Sequence, residues 1–430
     1  MTKPVAPARP AVLWMDEAPA QGEPAAPLPR EVDVLVVGAG YTGLSAARET
    51  AGAGRSTLVL DAAEAGAGCS SRNGGQVAYS IKPSLEDLTA RHGADSAYRI
   101  CEEGHRALKH LRDLAVEQNL DCDWRPCGGF YGAHTPQQFA AMAAEAEHQP
   151  RGLEQRLRVV PKAEQHREIG SDFYHGGCVY EDDASIDPRR LLLALLRRAT
   201  AAGATVVDRC PATAIAPTRA GFEVRTARGV IAAKKVLLAT NGYSGPLSPW
   251  HRRRVIPIGS YQIATERLGV ERVRALIPQG RHVSDTRRVV VYYRPSPDGE
   301  RLVFGGRASL GETDPLVCVP RLRRMMRQVF PQLESVGISH AWVGWVAYTF
   351  DTLPHLGRHE GLYYCMGYCG QGVALAPYFG MRIGQQIADL PNGATALDGL
   401  PFPTRPYYFG RPWFLAPSVF FYRLLDSIGI

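Results

Sequence analysis

Three hydrophobic patterns recur along the chain. The first is a short, unbroken apolar run. It occurs at Val34–Val37, Thr57–Leu60 and Val236–Leu238, and small residues follow the first and third. Such runs suit strands buried on both faces of a parallel sheet. The second pattern is helical periodicity, in the stretch between Gly43 and about Gly54 and in residues 96–120 and 190–203. The third is strand-like and comes in pairs: residues 127–134, 176–188, 255–265 and 289–306. Pro297-Asp298-Gly299 interrupts the last of these and predicts a hairpin turn. The fold class expected is α/β, with a parallel sheet assembled from separated segments. A second, α+β unit on a mainly antiparallel sheet is built from the stretches between them.

The first apolar run leads into Gly38-Ala39-Gly40-Tyr41-Thr42-Gly43, a helix pattern, a second strand and then Asp61. This is the strand–loop–helix order that binds a dinucleotide in a Rossmann-type unit. Gly38 permits the turn, Gly40 lets a pyrophosphate approach the backbone, and Gly43 lets the helix pack close to the strand. The helix N-terminus offers free N–H groups and a positive dipole end to phosphate. Asp61, at the end of the second strand, is placed to accept hydrogen bonds from an adenosine ribose. Ala62 follows it and no Arg is placed for a 2′-phosphate, which disfavours NADP.

A second run of small and polar residues, GCSSRNGGQV, begins at Gly68. A nicotinamide enzyme completes its phosphate contacts with the first loop. FAD carries its reactive ring past the pyrophosphate and needs another cradle. Ser70 and Ser71 offer hydroxyls and Arg72 offers charge. Asn73, Gly74, Gly75 and Gln76 offer a backbone that can run flat against a ring. FAD is therefore the expected cofactor.

These two loops resemble the FAD-dependent D-amino-acid-oxidase-like oxidoreductases, and most of all the γ-glutamylputrescine oxidase branch. The resemblance extends over about residues 31–390. It implies that Thr240, Asn241 and Gly242, after the third apolar run, pass near the cofactor. It also implies that backbone at about Cys210–Ala212 contacts the adenine, although relatives commonly carry Val where this chain has Ala212. Gly370, Gln371, Gly372 and Val373 would open a helix aimed at the flavin, where its dipole stabilises negative charge. The implied organisation is an N-terminal arm (1–30), flexible except where Trp14 docks, and a discontinuous FAD-binding domain (31–80, 185–245 and 345–390). A substrate domain (81–184 and 246–344) and a C-terminal tail packing on the body (391–430) complete it.

Composition narrows the function. The net charge is +7, and only six of the 49 Lys and Arg residues are lysine. The longest basic run, His251-Arg252-Arg253-Arg254, is too short for a nucleic-acid patch, so none is expected as a partner. The nine cysteines form no C-x-x-C pair, which argues against metal sites and disulfides and for a cytoplasmic protein. The start shows no signal-peptide pattern, and no stretch reaches the length of a membrane span. Residues 413–425, WFLAPSVFFYRLL, are the nearest to a membrane-contacting segment, although packing on the body is favoured.

Substrate class turns on residues 342–357. Amino-acid-oxidising relatives carry G-x-R-P-x-T-x-D-x-x-P-x-x-G here, with the Arg clamping a carboxylate. This chain matches at Gly344, Thr349, Asp351, Pro354 and Gly357 but has Val346 for the Arg and Ala347 for the Pro. The expectation is an amine substrate, oxidised at its C–N bond, with Trp345, Val346, Tyr348 and Tyr261 lining the pocket. The alternatives are an amino-acid, glycine or sarcosine oxidase or dehydrogenase of the same fold, and a non-catalytic flavoprotein assembly factor. Some relatives attach flavin through a Cys near this segment. None stands between residues 319 and 364, so non-covalent FAD is expected. No catalytic residue is assigned. Oxygen or another acceptor would take the electrons, with Lys82 and Lys109 the lysines in plausible regions. The oligomeric state is not encoded in any pattern here.

Overall fold

A computed structural model describes residues 8–17, 27–79 and 81–428. Two eight-stranded sheets organise them. In the first, the strand Glu31–Val37 lies centrally, parallel to Thr57–Leu60 on one side and to Gly229–Leu238 on the other. Thr205–Val207 and Leu362–Met366 extend it in parallel, and antiparallel strands finish one edge and branch from Gly229–Leu238. The apolar runs are central strands because both of their faces are covered: Val34 to Val37 and Leu58 to Leu60 are buried.

Two helices lie against this sheet, Tyr41–Gly52 and Gly372–Ile387. They approach unusually closely. A Cβ at Gly380 would stand 2.5 Å from the Thr42 carbonyl oxygen, and one at Gly384 2.7 Å from that of Ala46. The helix Ala94–Val116 belongs to the same core, with Ile100, Ala107 and Leu111 clustered with Val36, Leu44 and Leu375. The sequence reading assigned this helix to the substrate domain. Its amphipathic pattern specified an apolar face but not the surface that face covers.

The second sheet runs in the order Ile338–Tyr348, Ile256–Thr265, Leu302–Gly306, Val291–Pro295, His282–Asp285, Gly129–Gly132, Gly176–Tyr180 and Leu157–Pro161. Its pairs are antiparallel except His282–Asp285 with Gly129–Gly132. The hairpin at Pro297-Asp298-Gly299 closes with Gly299 N–H donating to the Ser296 carbonyl, 2.9 Å. Residues 345–348, expected in the FAD-binding domain, instead continue the edge strand of this second sheet. One sheet face packs on the helix Pro315–Val329, in a core with Tyr261, Ile263 and Phe304.

In the N-terminal arm, Trp14 docks on the body as expected. Residues 1–7 and 18–26 lie outside the described residues. Within residues 8–17, Arg9 bridges to His340, Leu13–Glu17 forms a helical turn and Trp14 is fully buried. The C-terminal segment wraps back over the body, with the Tyr408 hydroxyl donating to the Val255 carbonyl at 2.7 Å. It ends in the helix Leu415–Ile428.

Candidate active site

A cavity of about 1540 Å³ runs between the two sheets. Small-molecule sites typically span roughly 300–1,000 Å³, so this one has room for a long cofactor and a substrate. Its lining includes Asp61, Ala62, Ala212 and Thr213 together with Val346, Tyr348 and residues of the C-terminal helix.

The first loop is held by its neighbours. Asp61 accepts from Ala39 N–H through Oδ2 (2.8 Å) and from Ala63 N–H through Oδ1 (3.0 Å). Burial pushes its carboxyl up, and these backbone donors oppose the rise. Gly43 sits beneath the loop, where a Cβ would stand 1.9 Å from the Gly38 carbonyl oxygen. Only glycine permits that approach of helix to strand.

The second loop closes over the first. Tyr41 N–H, in the first turn of its helix, donates to Ser70 Oγ at 3.0 Å. Two indoles hold the loop's carbonyls. Trp342 donates to Arg72 O (3.0 Å) and Trp14 to Asn73 O (2.9 Å), and Gln262 Nε2 also donates to Arg72 O at 2.5 Å. The Arg72 side chain donates to Ala67 O (2.6 Å) and Val343 O (3.3 Å). The Asn73 side chain accepts from Gly75 N–H at 2.9 Å. Asn241 Oδ1 accepts from Gly367 N–H at 2.9 Å and joins the loops after two adjacent strands.

The cavity is lined by Gly38, Gly40, Tyr41, Thr42, Asp61, Ser70, Arg72, Asn73, Gly74, Gln76, Ala212, Thr240 and Asn241. Gly370, Gln371, Gly372, Val373, Trp345, Val346 and Tyr348 line it too. Five expected residues do not. Gly43 packs helix on strand. Ser71 is buried, with Oγ 3.4 Å from Arg189. Gly75 turns the chain against the Ile186 carbonyl, and Gly242 lets its loop approach the Trp345 backbone. Tyr261 points into the core and donates to Glu312 Oε2 at 3.0 Å.

Tyr261 fails by parity. Successive strand residues face opposite sides, and Ile256, Ile258, Ser260 and Gln262 line the cavity. That alternation was legible in IPIGSYQIAT, but which phase faced the site was not. Ile258 pairs with Val346 and Ile256 with Tyr348 across the strands, so this wall is aliphatic beside Val346. Ser260 and Tyr292 share a hydrogen bond at 2.7 Å.

Of the two lysines considered, Lys82 lines the cavity and its Nζ donates to the Tyr348 hydroxyl at 3.3 Å. Lys109 is exposed and paired with Asp113 at 2.5 Å on its own helix. Sequence reasoning also missed Arg288 and Arg307, which line the cavity, Phe414, and the inner face of the C-terminal helix that follows it: Leu415, Ser418, Val419 and Tyr422. Arg307 is committed to Glu312 Oε1 (2.7 Å) and Gly259 O (2.8 Å). No local pattern marks the tail as a cavity wall.

The family model described as FAD dependent oxidoreductase matches residues 33–386. The chain belongs to the FAD-dependent oxidoreductases. Among curated proteins of this kind it is 32% identical over 407 residues to the gamma-glutamylputrescine oxidoreductase of Escherichia coli strain K12, covering 93% of each chain. A probable oxidoreductase (OrdL) of Rhizobium meliloti strain 1021 is 31% identical, with 92% of each chain covered. Among solved structures, the fold matches glycine oxidase from Geobacillus kaustophilus with a TM-score of 0.73. That match has 20% identity and covers 88% of this chain and 100% of the other. L-proline dehydrogenase from P. horikoshii matches at 0.70, with 17% identity and 91% and 99% coverage. Proteins of this family depend on FAD, and the cavity's glycine cradle, its helix N-terminus and Asp61 fit that cofactor. Among the described residues no helix is long and apolar enough to cross a membrane.

Proposed function

We propose that this FAD-dependent oxidoreductase oxidises the C–N bond of an amine, of γ-glutamylputrescine or another ω-amine type, in preference to a free α-amino acid. The observation that carries this reading is the aliphatic wall of Val346 and Ile258 where a carboxylate clamp would stand. A carboxylate buried there without a partner would cost several kcal/mol.

In this reading Gly38, Gly40 and the N–H groups of the helix Tyr41–Gly52 hold the pyrophosphate, and Asp61 holds the ribose. The loop Ser70–Gln76 and the helix start Gly370–Val373 flank the flavin. When bound, FAD would supply the two-electron acceptor for oxidation of the carbon bearing nitrogen, with oxygen, giving hydrogen peroxide, or another acceptor as the final oxidant. The protein's part is to bind the amine neutral, orient its carbon and exclude water until imine is released to hydrolyse to aldehyde. The cofactor is held non-covalently. The thiols that line the cavity, Cys69 and Cys369, are pushed up to about 11 by burial, and a protonated thiol is a weak nucleophile.

A second reading rests on Arg288. It lines the cavity, and its guanidinium has no hydrogen bond or ion pair among the described residues. If it clamps a carboxylate, the enzyme oxidises an amino acid, glycine or sarcosine. Anaerobic flavin bleaching with paired substrates differing only in the α-carboxylate separates the two. Faster bleaching by the decarboxylated member supports the amine, and the reverse preference, lost in Arg288→Gln, supports the amino acid.

A further inference from the structure

The C-terminal helix has two apolar faces, and the cavity uses only one. Leu415, Val419 and Tyr422 point into the cavity. The opposite side is open: Phe420 and Phe421 are 63% and 55% exposed, and Phe409 and Trp413, in the segment that leads into the helix, are each 66% exposed. Large exposed aromatics along one helix face and the segment that leads into it are uncommon on a soluble surface and mark a contact site.

The segment that carries these aromatics and the one it packs on hold charge of one sign. Residues 399–425 contain no Asp or Glu, nor do residues 241–265. The two segments pack on one another, with Thr404 Oγ1 donating to the Arg253 carbonyl and the Arg253 guanidinium 4.7 Å over the Phe409 ring. Arg252 packs where a Cβ at Gly410 would stand, and Arg405 and Arg411 belong to the same acid-free segment as Phe409 and Trp413. The one acid on the helix, Asp426, is taken up by the backbone N–H groups of Arg288 (2.9 Å) and Val289 (3.0 Å).

We propose that this face docks on an anionic bilayer surface, with the C-terminal helix lying in the interface. Aromatic side chains sit at the headgroup boundary, and a cationic segment is drawn to anionic lipid. At 14 residues the helix is too short to span a bilayer, so it lies on the membrane. A second copy is the poorer occupant, because a two-fold contact sets the same patch against itself and would bring like-charged segments together. Docking places the lipid directly outside the cavity wall, with the helix between.

The test is co-sedimentation of the FAD-loaded protein with vesicles of phosphatidylglycerol and phosphatidylcholine, against vesicles of phosphatidylcholine alone. Binding to the anionic vesicles that weakens with salt is expected. Phe420→Ser/Phe421→Ser should weaken it at least about tenfold, and Arg405→Gln/Arg411→Gln about 25-fold, roughly fivefold for each Arg. Unchanged flavin absorbance and thermal unfolding establish that the variants fold. If the aromatic pair unfolds, Phe409→Ser takes its place. Failure of the wild type to bind anionic vesicles overturns the proposal, as does undiminished binding by the folded variants. A dimer in sedimentation velocity that Phe420→Ser/Phe421→Ser dissolves, without vesicle binding, assigns the face to a second copy instead. None of these outcomes depends on which substrate is oxidised.

Discussion

The indole of Trp14 donates its N–H to the carbonyl of Asn73 at 2.9 Å, tying the N-terminal arm to the second glycine loop. Its ring stands edge-on to Trp342 at 6.0 Å, and Trp342 holds the preceding carbonyl, that of Arg72. Adjacent carbonyls of the loop are thus fixed by indoles from the N-terminal arm and from the strand Ile338–Tyr348. Trp14→Phe keeps most of the packing and leaves the Asn73 carbonyl without this donor. A buried group left unpaired costs about 1–3 kcal/mol, so FAD should be held several-fold to a hundredfold less tightly. Cofactor release during gel filtration measures this, and retention equal to wild type would mean the arm does not support the loop.

Asp61→Ala removes the carboxylate that accepts from Ala39 and Ala63 and lines the cavity. Charge-assisted hydrogen bonds contribute roughly 1.5–3 kcal/mol. The FAD dissociation constant, from fluorescence recovery on release, should rise about ten- to hundredfold. No change would mean the ribose lies elsewhere.

Gly43 and Gly52 share one helix and should respond oppositely to Ala. At Gly43 the added Cβ meets the Gly38 carbonyl at 1.9 Å, and at Gly52 it meets nothing within 4 Å. Gly43→Ala is expected to destabilise by at least ~1–3 kcal/mol and to release FAD. Gly52→Ala should be neutral or stabilise by up to ~1 kcal/mol. Denaturant midpoints and bound flavin, measured side by side, test the pair.

Val346→Arg puts a clamp on the aliphatic wall. Wild type should oxidise an amine faster than its α-carboxylated counterpart by roughly a hundredfold, which corresponds to a penalty of ~3 kcal/mol. The variant should narrow that gap and raise KM for the amine, because a guanidinium on this wall has no partner on a neutral amine and takes up its space. The specificity constants for the paired substrates decide it. A wild type that prefers the carboxylated member would move the substrate class to amino acids.

His251 is buried, with Nδ1 2.6 Å from the Ser248 hydroxyl. Burial, with the nearby charges of His359 and Arg254, holds its pKa down at about 3, against about 6.5 in an unfolded chain. Between these values the unfolded chain binds the proton and the folded one does not. Stability should therefore fall as pH drops from about 6.5 toward 3. The denaturant midpoint should fall less steeply with acid in His251→Asn. An equal slope in both proteins would count against a neutral, buried His251.

What the sequence determined by itself was the strand–glycine loop–helix unit and the family it belongs to. Its signals are local: a strand, three glycines at fixed offsets, a helix and an acid, all within residues 31–61. Backbone geometry forces that order wherever it occurs. Val346 was legible for the same reason, as a departure within a short spaced pattern. Tertiary structure decided the rest. Tyr261 and Gln262 are adjacent in one strand, and only the placement of the sheet put Gln262 on the cavity and Tyr261 in the core. The helix Ala94–Val116 carried an apolar face in its pattern, but only packing joined it to the parallel sheet's core. Trp14 and the C-terminal helix reach the site from the two ends of the chain. Contacts at such separation leave no period in the sequence, because they are selected by the burial of a surface that exists only once both sheets have formed.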